Sequence, residues 1–100
     1  MPWLILSEDA PAAARLRADA ALMAAHWEYA LSIKHRILAA GSLRSDDGLT
    51  PTGRLLLVGA GSRDAAMALI RGDPATKAGL RGSITIRYRN AAILDRHVTA

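Results

Sequence analysis

Two helices laid on one face of a four-stranded antiparallel sheet, an α+β fold, is what this sequence predicts, on three observations. At 100 residues, 51% of them hydrophobic, the chain holds one domain around one small core. Four short apolar runs, centred near Ile5, Leu38, Leu56 and Ile86, have the length and the bounding turn formers of strands. Two stretches free of internal glycine and proline, with helical spacing of apolar residues, fall between the first and second runs and between the third and fourth.

Trp3 to Ser7 is an apolar run suited to a buried strand, and the acidic, proline-containing stretch Glu8-Asp9-Ala10-Pro11 ends it. From Ala12 to about Ser32 alanines are dense, and Leu16, Ala20, Met23, Trp27 and Leu31 recur at spacings of four, three, four and four. One amphipathic helix follows, with Met23 and Trp27 in the core. His26 lies about 100° round from Trp27, on the flank of that stripe. Arg36 to Leu43 reads as the second strand and Arg54 to Gly59 as the third. The polar stretch Arg44 to Gly53 between them is full of turn formers and long enough for a mobile flap with solvated acids. Ser62 is placed to cap a second helix over Arg63 to Arg71, with Asp64 in its first turn and Gly72 at its exit. Asp73-Pro74 leads into a short helical turn through Ala75 to Ala78. Ser83 to Arg89 then alternates, Ile84, Ile86 and Tyr88 against Thr85, Arg87 and Arg89, as a half-buried strand does.

The order strand, helix, strand, strand, helix, strand is the ferredoxin-like βαββαβ arrangement. Two helices cover one sheet face, and 100 residues leave nothing to cover the other except a second copy of the chain. A homodimer through the sheet face is the expectation, with the tail from Asn90 to Ala100 crossing onto the partner.

Composition narrows the functional classes. No apolar run approaches the roughly 20 residues of a membrane span, and the start lacks the basic region of a secretory signal. The chain has no cysteine, which suits a reducing cytoplasm and removes any thiolate nucleophile or ligand. The net charge of +4 comes from scattered arginines, with only Arg87-Tyr88-Arg89 tightly grouped, so nucleic acid is not the expected partner. A small anionic molecule is a better match, because one or two guanidinium groups suffice to grip a carboxylate.

Little else looks like chemistry. Val58-Gly59-Ala60-Gly61-Ser62-Arg63-Asp64 mimics the opening of a dinucleotide fingerprint, but Asp64 stands where the third small residue belongs. His26, His35 and His97 have no metal-ligand spacing, so neither a metal nor a cofactor is expected. What remains is one histidine on a long helix and an Asp-Pro turn, Gly72-Asp73-Pro74, free to approach it. Read plainly, such a histidine is satisfied by a backbone carbonyl and such an aspartate caps a turn.

Several of these features together resemble the YciI-like (YCII-related) family of small dimeric α/β barrel proteins. They are the early strand followed by Ser7-Glu8-Asp9, the helix with His26 and Tyr29, and Arg36-Ile37-Leu38-Ala39-Ala40-Gly41 ending strand two. Asp73-Pro74 with Ala78-Gly79-Leu80, and the strand Ser83 to Arg89, complete the match. The resemblance implies a His-Asp dyad at His26 and Asp73, and a dimer with facing sheets. It also implies a small enzyme doing acid-base chemistry, isomerisation or dehalogenation, on a small organic acid or hydroxylated ring compound. The alternative is a dimer that binds a small molecule, or an interaction partner, without turnover. Such chemistry is reasonable for the dyad, since a carboxylate on one imidazole nitrogen fixes the tautomer and stabilises the cation formed when the other takes a proton. Tyr29 and Ser42 are candidate pocket hydroxyls. Two positions depart from the family pattern: Ser42 stands where proline is common, and Met23 where an arginine often precedes the histidine by a turn. Arg15, Arg17 or Arg87 would then have to supply the anion contact.

Overall fold

The computed structural model describes residues 2–90, 92–94 and 96–98. Strand β1 (Pro2–Asp9) runs into a short helix α1 (Ala13–Arg17) and then helix α2 (Ala20–Ser32). A single 3₁₀ turn over Lys34–Arg36 leads to β2 (Ile37–Arg44) and β3 (Pro51–Gly59). Helices α3 (Arg63–Arg71) and α4 (Pro74–Lys77), strand β4 (Arg81–Tyr88), and the small pair β5 (Ile93–Leu94) and β6 (His97–Val98) follow. The main sheet has the order β2-β3-β1-β4 and is antiparallel throughout, the ferredoxin-like order in which the first and third strands occupy the centre.

Register decides which residues share a face. Ile5 lies opposite Leu56 on one side and Ile86 on the other, and Ser7 lies opposite Arg54 and Ile84. These residues point at the helices. Ile5, Val58 and Ile86 are fully enclosed there, packed with Leu56, Ala66 and Ile70. Each such side chain withdrawn from water contributes roughly 1.5–3 kcal/mol. Ala13, Ala75 and Leu80 form a second, smaller core beneath α1 and α4, with Met23 against it. The opposite face carries Leu4, Leu6, Leu55 and Leu57 in facing pairs and no helix among the described residues.

Four expectations need correction. The long first helix is two helices, because the Asp19 side chain accepts from the Leu22 N–H and starts a new helix with its own phase. The stripe from Leu16 to Leu31 therefore never forms. Met23, His26, Ala30 and Ile33 turn inward instead, while Trp27 is 62% exposed rather than in the core. Strand β3 begins at Pro51, three residues before Arg54, so the expected flap shrinks to a closed turn. In that turn Asp47 accepts from the Ser45 hydroxyl (2.6 Å) and the Leu49 N–H (3.0 Å), bonds that hold its carboxyl below the ordinary carboxylate value. Finally, β4 starts at Arg81 rather than Ser83. Of the tail expected to cross to a partner, residues 91, 95, 99 and 100 lie outside the described residues. Ile93 and Val98 on the β5–β6 pair are exposed.

Candidate active site

Asp73 is where three elements meet. Pro74 opens α4, and Asp73 caps it by accepting the Ala75 N–H on Oδ1 at 2.9 Å. That cap fixes the carboxylate beneath α2. His26, one turn after Met23 on the inward side of α2, brings Nδ1 to within 2.8 and 2.9 Å of the two Asp73 oxygens. From the sheet, Arg81 donates through Nη2 to Asp73 Oδ2 (2.9 Å), through Nε to Thr76 Oγ1 (2.8 Å) and through Nη1 to Ser7 Oγ (3.2 Å). The side chains of Asp73 and Arg81 are only 8% and 3% exposed.

Burial alone would raise the Asp73 pKa. The His26 bond, the Ala75 N–H and the charges of His26 and Arg81 overcome it and hold the carboxyl below its ordinary value, so Asp73 is an anion. With Nδ1–H donating to that anion, Nε2 is the nitrogen left to exchange protons with a ligand. The His26 ring borders a cavity of about 20 Å³, whose walls include Met23, Ser42, Arg54 and Leu80. That is room for about one water.

The other sequence candidates divide. Ser42 lines this cavity, opposite Arg54 across the β2–β3 pair, though its Oγ accepts from Arg44 Nε at 2.8 Å. Tyr29 lies one turn beyond His26, but its hydroxyl donates to the Leu69 carbonyl (2.5 Å) and its ring rests on Gly72, tying α2 to α3. Burial, and then the nearby Asp73 charge, raise its pKa. Arg87 is not brought to the cluster: it pairs with Leu4 on the uncovered sheet face, as period-two alternation requires. Arg15 is exposed on α1, and Arg17 borders the cavity but is engaged with Asp9 at 2.8 and 3.2 Å.

Two residues that the sequence reading missed are arginines. Simple alternation would put Arg81 on the same face as Ser83, Thr85 and Arg87. A register shift between Glu8 and Asp9 sets Arg81, not Gly82, across from Asp9 and swings it to the helix face. Arg54 opens the expected third strand, where its residue type alone points to no role. Its parity with Leu56 and Val58, both core residues, is the signal that it points inward.

A compact α+β domain with a buried carboxylate-imidazole pair beside a cavity, flanked by arginines, defines the class. Within that class, the chain belongs to the family of the YCII-related domain, whose model matches residues 1–88. Among solved structures it is similar to 5-chloro-2-hydroxyhydroquinone dehydrochlorinase (TftG) from Burkholderia phenoliruptrix AC1100, determined in complex with 2,5-dihydroxybenzoquinone. The two share 30% identity with a TM-score of 0.78, over 90% of this chain and 94% of that one. Comparison with curated proteins gives no match.

Proposed function

We propose that this protein is a small enzyme that moves protons on a hydroxylated ring compound, with His26 as general base and acid and Asp73 as its orienting carboxylate. The observation that carries the reading is the short contact of His26 Nδ1 with both oxygens of a buried, ionised Asp73, which frees Nε2 for a ligand at the cavity. Likeness to a dehydrochlorinase over most of both chains favours turnover over mere binding.

On a ring that carries hydroxyls and a halogen, the chemistry needs no oxidant or metal. Nε2 takes the proton from one hydroxyl, and a proton is delivered to the halogen-bearing carbon, giving a keto tautomer. A second hydroxyl then loses its proton, its electron pair moves through the ring, and the carbon-halogen bond breaks with the pair leaving on halide. The net change is loss of hydrogen halide and formation of a quinone. Asp73 stabilises the imidazolium present between the two transfers. On a ring without halogen the same transfers amount to tautomerisation.

The assay is halide release from 5-chloro-2-hydroxyhydroquinone under anaerobic conditions. Wild type should release chloride, and His26→Gln should lower kcat by about 10²–10⁴-fold with the fold intact by circular dichroism. Equal rates for the two proteins would remove His26 from the chemistry. The same reading includes a homodimer through the leucine face, which leaves the His26 side of each protomer open.

A further inference from the structure

Arg54 is the charged group of the site whose role the fold leaves unexplained. Arg17 is committed to Asp9, and Arg81 to Asp73, Thr76 and Ser7. Arg54 is only partly exposed and, among the described residues, has no ion-pair or hydrogen-bond partner. Arg17, Arg54 and Arg81 all line the cavity; Asp9 and Asp73 pair with the first and the last, which leaves the Arg54 charge unpaired beside His26. A partly desolvated, unpaired cation costs stability, and an anion placed against it returns that cost.

A second observation says what shape the anion has. The cavity at His26 holds no more than a water, but Arg54 also forms one end of a neighbouring groove of about 260 Å³ between α2 and β2. The groove is lined by Trp27, Ala30, Leu31, Lys34, Ile37 and Ala40, Lys34 being exposed to solvent and Arg54 only partly so. Trp27 and Leu31, 62% and 46% exposed, pack no core and instead offer an indole and an isobutyl group to this space. A volume just under the usual range for drug-sized ligands suits a single ring, and an indole is a good stacking surface.

We propose that Arg54 holds an ionised oxygen of the ligand while the ligand's ring lies in the groove against Trp27, Leu31, Ile37 and Ala40. His26 does not line the groove itself, but with Arg54, Ala30 and Ile37, three of the groove's own residues, it borders a second cavity of about 20 Å³, which is where a ring oxygen held by Arg54 would meet it. The inference rests on the ring-compound reading above and names the residues that would bind such a ring. It assigns to Arg54 the anion contact that the sequence sought in Arg15, Arg17 or Arg87.

The test uses 2,5-dihydroxybenzoquinone, a vinylogous acid and so an anion near neutral pH, with hydroquinone as the uncharged ring. Both are titrated by calorimetry into the full-length wild type, Arg54→Gln, Arg54→Lys and Trp27→Ala at low and high salt. Arg54→Gln should weaken binding of the anion by about tenfold or more, Arg54→Lys by less, and neither should affect hydroquinone. Trp27→Ala should weaken both ligands while leaving the salt dependence unchanged. Thermal denaturation supplies the structural control: Arg54→Gln should melt at or above the wild-type temperature, and a large drop would assign Arg54 to the fold instead. Wild type and Arg54→Gln binding the anion within twofold of each other would overturn the inference alone. Failure of wild type to bind either ring would overturn the ring-compound reading, and this inference with it.

Discussion

Asp73 accepts from a helix start, a helix flank and a strand end at once, so its donors are unequal in what their loss does. Removing Arg81 takes the permanent positive charge away from a buried carboxylate. Arg81→Met should therefore lower unfolding stability by about 3–5 kcal/mol in urea titrations. A loss under about 1 kcal/mol would mean that the pair is far better hydrated than its geometry indicates. The carboxyl also makes stability depend on pH. Its folded pKa lies below the ordinary 3.8, so its contribution is complete above that value and disappears as pH falls through the folded value. Urea midpoints taken between about pH 5 and pH 1 should fall less steeply for Asp73→Asn than for wild type, and equal slopes would count against this linkage. At this scale a histidine on a helix and an Asp-Pro step made His26 and Asp73 candidates by residue type, while their pairing as a dyad came only with the family resemblance. Arg81 was hidden because a bulge, invisible in one strand's own alternation, reverses its face.

The helices show where reading by element succeeds and where it slips. Ser62 caps α3 by accepting the Ala65 N–H, and Asp64 sits in its first turn, both as the residue pattern indicates. The sheet order follows from the strand count and the helix placement alone. Helix α2 is different: it is apolar nearly all round, so its sequence cannot say which side faces inward, and the break at Asp19 resets the phase that a continuous helix would have had. The inward side was settled by tertiary partners, Leu80 and Ala75 against Met23, Asp73 against His26, and Leu69 against Tyr29. Two substitutions probe this docking. Asp19→Ala should cost about 1 kcal/mol by loss of the cap, read by thermal or urea denaturation. Gly72→Ala would put a methyl 2.5 Å from the Tyr29 hydroxyl, with the tyrosine ring also within 3.1 Å. It should destabilise by about 1–3 kcal/mol, and adding Tyr29→Phe should cost less than the sum of the two single changes, because the same contact is relieved. Strict additivity would separate Tyr29 from Gly72 energetically.

For the molecule as a whole, the two sheet faces divide the work. One carries the core, the helices and the cluster around Asp73; the other carries Leu4 paired with Leu57 and Leu6 with Leu55, with Leu43 at the β2 edge and Arg87 toward β4. Leu4, Leu6 and Leu55 are partly exposed there beside the buried Leu57, and against a second copy of the chain they would form the apolar middle of an interface with Glu8, Thr85 and Arg87 as its polar rim. Such a face packed on its own copy would be self-complementary, as a two-fold dimer needs, and a stable association of that kind buries roughly 800 Å² per partner. Sedimentation equilibrium should find wild type as a dimer, with a melting temperature that rises with protein concentration. Leu55→Lys places a charge at the centre of that face and should give a monomer that melts lower. Because the cluster and the groove lie across the sheet from Leu55, the monomeric variant should still bind 2,5-dihydroxybenzoquinone, at temperatures where it stays folded, within a few-fold of wild type. A wild type that sediments as a monomer would leave the leucine face without a partner of its own kind. A monomeric variant that loses the ligand while folded would mean that the second copy completes the site.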